Sequence, residues 1–337
     1  MSNPSIAEVV GDPEWLPHAF DADGKTLTFV RVPRDSRAEL MFLFDAHFAG
    51  RFKKATFPTV ELLAESQSAV RAPMHFIFHT SFAGSTLLAR ALEIPGVATS
   101  MSEPAIYTNL ANRVTDRSER AAANRLDLVL RLMERPFAPD ESIIVKQSSF
   151  ANGLAEQILR ARTETCAVLL YSDLQTYLLS LLKRGLKGRI WGRKLFTTVR
   201  SWSGLRLDLP ESELFELTDM QVAALAWLLQ IHHFGELTRA FGPRVMPLES
   251  DDIFSASATT LHRVSALFGL GLNEKRTMEI AAGPVFAKHS KFTDRDYSPE
   301  ARQRDSEAAE NANSEEISMV VKWLDTFAAH LGVNLRP

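Results

Sequence analysis

The chain has 337 residues, 45% of them apolar, and a formal net charge of −3, so it can build a sizeable core as one large or two moderate domains. A near-neutral balance gives no support to nucleic-acid binding as the main role, and no continuous apolar run reaches the roughly 18 residues of a membrane span. A single cysteine, Cys166, excludes an internal disulfide and any cysteine-based metal site.

Residues 1–72 read as an accessory segment. Its first residues have neither the basic start nor the apolar core of a secretory signal, and a cytoplasmic protein is expected. A strand is expected at Thr26–Val32, helical spacing runs over Ala38–Phe48, and a basic loop follows at Arg51–Lys54. From Pro73 the rhythm changes, and residues 73–337 read as one α/β domain. Strands are expected at His75–His79, Val97–Ser100, Ser142–Lys146, Cys166–Ser172 and Arg244–Leu248. Helices are expected at Ser85–Glu93, Arg120–Glu134, Phe150–Ala161, Leu174–Arg184 and Met220–Ala240. Continuous apolar strands separated by helices predict a P-loop-type parallel sheet of about five strands, flanked by helices. The C-terminal part, Ile253–Leu331, reads as mostly helical, broken by a polar loop at Ala281–Gln303. The acidic run Asp305–Glu316 reads as a solvated helix start.

The most informative stretch runs from His75 to Leu92. An apolar strand stops at a polar loop containing Gly84, which opens onto a helix with Leu87, Leu88, Ala91 and Leu92 on one face. Unpaired amides and the positive end of the helix dipole converge there on an anion-sized space. Against the Walker A pattern, His79 replaces the first glycine, Gly84 and Thr86 are kept, and Ser85 replaces the lysine. Loss of that lysine removes the charge an ATPase or kinase places on the β- and γ-phosphates.

Past the second strand, Glu103 precedes Pro104. It is either a base at the carboxyl edge of the sheet or the cap of the following helix. Lys146 ends the third strand, either snorkelling to the surface or facing the ligand crevice as a cation. Asp173 follows the fourth strand, where a helix N-cap is favoured over a magnesium ligand. Ser180 lies two turns into the next helix, a candidate hydroxyl donor to a phosphate. Between Lys183 and Arg200 seven cations occur without an acidic residue, interleaved with Gly185, Gly188, Gly192 and Trp191. That composition reads as a loop closing over an anion, or as a surface for an acidic partner. His289 lies in the polar loop, where a lid residue is one reading. His232 and His233 are adjacent on a helix and make a poor metal pair. No spacing suggests zinc, and no serine-hydrolase elbow is present.

From Met74 to about Arg295 the chain resembles the sulfotransferase family, a P-loop-derived fold that uses 3′-phosphoadenosine 5′-phosphosulfate. Ser81-Phe82-Ala83-Gly84-Ser85-Thr86 matches the family's 5′-phosphosulfate loop, Glu103 its general base, and Lys146 its lysine-bearing strand end. Ser172-Asp173-Leu174 through Ser180 matches the 3′-phosphate motif in spacing, and Arg244–Asp252 resembles the segment before a leucine-rich helix. The resemblance implies sulfuryl transfer from that donor, with no metal, to a hydroxyl or amine of a small-molecule, glycan or peptide acceptor. Two positions depart from the family: Phe82 stands for a basic residue of the loop and Ser172 for the arginine of the 3′-phosphate motif. Arg184 and Lys183 are the candidates to restore the 3′-phosphate charge, and Lys288 or Lys291 to close from the loop. Two alternatives stay open: a magnesium-nucleotide kinase or nucleotidase, and a catalytically silent member of the same family. Oligomeric state is not encoded in any motif.

Overall fold

The computed structural model describes residues 3–48, 50–112, 118–287 and 299–337. Lys288, His289 and Lys291 lie outside the described residues. Two sheets organise the chain. β1 (Trp15–Phe20), β2 (Thr26–Arg31) and β3 (Lys54–Pro58) form an antiparallel sheet in the order β1-β2-β3. β2 was legible because Leu27 and Phe29 are fully buried while Thr28 faces outward. The sequence did not indicate β1, since Pro17 and His18 interrupt its alternation. The ladder absorbs them with a register shift between Pro17 and Ala19. Nor did it indicate β3, whose side chains are all exposed or half-buried.

The expected helix over Ala38–Phe48 is two short helices, Arg34–Glu39 and Asp45–Phe48. Between them Leu43 uses its amide on Ser102 O (2.9 Å) and its carbonyl on Ala105 N (3.0 Å). Those partners take the backbone groups a continuous helix would need.

The second sheet contains β4 (Met74–His79), β5 (Ala98–Ser102), β6 (Ser142–Lys146), β7 (Ala167–Tyr171) and β8 (Val245–Glu249), in the order β5-β6-β4-β7-β8. The pairing is parallel, and β4, β6 and β7 are buried along their whole length, as a sheet covered on both faces requires. This is the five-stranded α/β sheet flanked by helices that the alternation of runs predicts.

The chain separates into two compact units: Met1–Ile77, Ala89–Cys166 and Phe268–Leu270 in the first, and Phe78–Leu88, Ala167–Leu267 and Gly271–Pro337 in the second. In the first, a buried arginine fastens the N-terminal segment. Arg135 donates to the carbonyls of Val9, Val10, Asp12 and Trp15, and burial pushes its pKa down to about 10. Asn109, from the helix Ala105–Asn112, accepts from Phe20 N at 2.8 Å.

In the second unit the helix Asp219–Phe241 forms the centre and is buried nearly all round. Thr218 and Gln221 close its start with a reciprocal capping box. The glycine- and cation-rich stretch expected as a loop is instead the helix Gly185–Arg200. Its glycines serve packing: a Cβ on Gly192 would stand 3.0 Å from Ala223 Cβ, and one on Gly188 would collide with Leu181 O at 2.1 Å. The acidic run Asp305–Glu316 lies inside the long helix Pro299–His330 rather than starting one. That helix also takes in the end of the expected polar loop.

Candidate anion site at the end of the β4 strand

β4 runs into the loop Thr80–Gly84, and the helix Ser85–Ala91 begins directly after it. Three loop residues take the left-handed backbone conformation: Ser81 (φ 75°), Phe82 (φ 56°) and Gly84 (φ 79°). For Ser81 and Phe82 this costs about 1–2 kcal/mol each, a strain that surrounding packing must hold. Gly84 admits no other residue without strain, since a Cβ would also approach Phe254 Cζ at 3.2 Å. His79 steadies the turn by accepting the Ser81 amide on Nδ1 at 3.0 Å. The amides of Ala83, Gly84, Ser85 and Thr86 donate to no acceptor among the described residues. Successive unpaired N–H groups of this kind make a concavity that suits an anion. Ser85 and Thr86 are buried and their hydroxyls make no hydrogen bond among the described residues.

Phe82, at the position of the family's basic residue, contributes a surface instead of a charge. Its ring packs against Tyr177 (centroids 6.0 Å apart) and Trp191 (5.0 Å), and the Arg184 guanidinium lies 4.2 Å above it. Arg184 also donates to the Ser180 carbonyl and has no carboxylate partner among the described residues. Ser180 itself is half-buried on the helix Leu174–Leu182. Asp173 is that helix's N-cap and accepts from Thr176 N at 2.9 Å, the bland reading of the two.

Ser172 is fully buried, its carbonyl accepts Trp227 Nε1 at 2.9 Å, and its hydroxyl has no partner among the described residues. Thr80 and Ser250, which the sequence did not single out, are likewise fully buried with hydroxyls that have no partner among the described residues. Each of these three is the first residue beyond its strand, β4, β7 or β8, and Ser172 and Ser250 follow the register pair Tyr171–Glu249. A buried hydroxyl without a partner costs about 1–3 kcal/mol, so unpaired hydroxyls at ligand-binding strand ends call for an acceptor from outside. The signal was available in the sequence as a small hydroxyl residue closing each apolar run. Trp191 stands out in the sequence within the glycine- and cation-rich stretch, but nothing local joins it or Tyr177 to Phe82.

Glu103 and Lys146, both in the first unit, meet in a side-chain ion pair. The register that makes this possible is Ser102 opposite Lys146, with Glu103 N donating to Lys146 O at 2.8 Å. Glu103 has φ 48°, so its backbone is bent sharply out of β5. Lys146 is only 1% exposed, and its ammonium lies 4.6 Å from the Phe42 ring centroid. Burial lowers its pKa from the ordinary lysine value while Glu103 opposes that shift. The snorkelling reading of Lys146 is therefore wrong, because the chain buries the charge and pairs it.

Among solved structures, the chain is similar to the sulfotransferase domain of the Synechococcus PCC 7002 olefin synthase, at 14% identity over 73% of this chain and 96% of that one, with a TM-score of 0.38. The sulfotransferase domain from the curacin biosynthetic pathway gives 12%, 80%, 100% and 0.41 in the same terms. Mouse sulfotransferase SULT7A1, complexed with PAP, gives 13%, 80%, 96% and 0.34. These are members of the family that the motifs resemble, and at this degree of overlap they carry no chemistry over to this chain. No family model matches the sequence, and no curated protein does. No helix among the described residues is long and apolar enough to cross a membrane.

Proposed function

We propose that the chain transfers a sulfuryl group from 3′-phosphoadenosine 5′-phosphosulfate to a hydroxyl or amine of a small-molecule, glycan or peptide acceptor. The observation that carries this reading is the lysine-free loop, whose strained turn leaves four successive amides, Ala83 to Thr86, without an acceptor among the described residues, beside the likewise unpaired hydroxyls of Ser85 and Thr86. Such a nest suits a sulfate- or phosphate-bearing end, and a loop without the Walker lysine suits a reaction other than ATP hydrolysis. Arg184, with no carboxylate partner among the described residues, is the cation assigned to the donor's second phosphate, with Ser172 and Ser180 as hydroxyl partners. Lys288 and Lys291 are proposed to close on the donor.

Glu103 is proposed to take the acceptor's proton as oxygen or nitrogen attacks sulfur. Lys146 is proposed to stabilise charge on the transferring group or on the leaving phosphate oxygen. The S–O bond to the phosphate breaks as the new bond forms, and the adenosine bisphosphate leaves with the electron pair. Sulfuryl transfer, like phosphoryl transfer, rests on positioning and electrostatics, so few protein groups are needed. Engagement of Asp173 as a helix cap removes the support for reading it as a magnesium ligand.

The test is thermal-shift titration with 3′-phosphoadenosine 5′-phosphate, ATP and ADP, with and without magnesium. A shift with the bisphosphate that ignores magnesium and shrinks in Ser180→Ala is expected. No shift with the bisphosphate, together with a magnesium-dependent shift with ATP, overturns the reading.

A further inference from the structure

The helix Gly185–Arg200 turns Gly188, Gly192, Leu195, Phe196 and Val199 inward. Its outer face carries Leu186 and Ile190, 71% and 46% exposed, one turn apart. Lys187 and Lys194 flank them, exposed and with no ion pair among the described residues. Twenty-odd residues on, the helix Glu211–Glu216 shows the opposite pattern. Phe215 is 84% exposed, with Glu211 one turn before it and Glu216 beside it, neither in an ion pair among the described residues. Both patches belong to one compact unit, and Arg193 ties them to one surface by donating to Leu217 O at 3.0 Å and to the Asp219 carboxylate.

An apolar pair rimmed by lysines and a lone phenylalanine rimmed by glutamates complement one another in apolar character and in sign. We infer that the partner of this surface is a second copy of the chain, in a two-fold dimer. Phe215 of each copy seats between Leu186 and Ile190 of the other, while Glu211 and Glu216 face Lys187 and Lys194. Two-fold pairing makes the contact twice, so each exposed apolar group is covered and each charge is matched. A large aromatic at the centre of a patch ringed by charge is the usual form of an energetic anchor. The inference does not depend on the donor or the reaction.

Sedimentation equilibrium on the full chain from about 1 to 100 μM tests it. A dimer is expected, and Phe215→Ser is expected to raise its dissociation constant by about tenfold or more. The double variant Lys187→Glu/Lys194→Glu is expected to be monomeric, as is Glu211→Lys/Glu216→Lys, each with an unchanged far-UV spectrum. Mixed in equal amounts, the two charge variants should dimerise again, because every reversed patch then meets its complement. A monomeric parent chain overturns the inference. So does a dimer indifferent to these substitutions, or a failure of the mixed variants to associate.

Discussion

Arg184 lies with its guanidinium 4.2 Å from the centre of the Phe82 ring, so a cation stands over the one loop position where the related motif carries a charge of its own. On the proposed reading this cation serves the donor's second phosphate, with the Phe82 ring holding its guanidinium in place. A charge-assisted contact to phosphate contributes about 1.5–3 kcal/mol. Arg184→Ala should therefore weaken binding of 3′-phosphoadenosine 5′-phosphate by about tenfold to a hundredfold, read by calorimetry. Phe82→Ala, which removes the ring under the guanidinium, should weaken binding by a smaller factor and add little in the Arg184→Ala background. Fully additive losses in the double variant would show that the Phe82 ring does not act through Arg184.

The Glu103–Lys146 pair separates structural from chemical roles. Removing one member of a buried pair leaves the other charge uncompensated, and Lys146→Met should destabilise the fold by about 3 kcal/mol in urea titration. Glu103→Gln keeps the shape and a hydrogen-bond acceptor for Lys146. It should leave binding of the bisphosphate within about twofold, while transfer falls by about a hundredfold or more, the usual worth of a positioned base. Full transfer by Glu103→Gln would remove it as the base.

His75 gives the fold a dependence on pH. Its ring stacks on Phe268 (centroids 4.8 Å apart, 8° between planes), Nδ1 accepts from Cys166 N, and burial holds its pKa down at about 4 from an ordinary 6.5. Between those values the unfolded chain binds a proton that the folded chain refuses. Stability from this group is thus complete above pH 6.5 and lost as pH falls toward 4, by about 3 kcal/mol in all. Urea midpoints at pH 7 and 4.5 should show the fall. His75→Asn, which keeps an acceptor and never titrates, should flatten it.

How much was readable depended on whether a residue's partners lay near it in sequence. Five apolar strands and their helices declare themselves locally, and Ser142–Lys146 was placed to the residue. β1 escaped because Pro17 and His18 hide a strand that long-range contacts to Asn109 and Arg135 stabilise. Glycines at 185, 188 and 192 suggested a loop because composition does not reveal that Gly188 and Gly192 face close-packed neighbours. In the site, the strand–loop–helix and Glu103 were visible as pattern. The pairing of Glu103 with Lys146 was not, since it comes from the register of β5 on β6. Nor was the Phe82–Arg184 stack, which needs two segments a hundred residues apart in sequence to meet.

Gly84 offers the sharpest test of the loop itself. Its φ of 79° lies where an L-residue pays about 1–2 kcal/mol, and a Cβ there stands 3.2 Å from Phe254 Cζ. The Phe254 ring is a side-chain end that gives way by a few tenths of an ångström, so Gly84→Ala should still fold, with a melting temperature lowered by a few degrees. To relieve the backbone, the loop must rotate the Gly84 and Ser85 amides out of their common direction, which dismantles the nest. Affinity for the bisphosphate should then fall by at least about tenfold, more than the loss of stability accounts for. Pairing Gly84→Ala with Phe254→Leu relieves the contact but not the backbone strain, so the double variant should regain stability and not binding. If binding returned along with stability, the crowding of Phe254 rather than the amide geometry would govern the site.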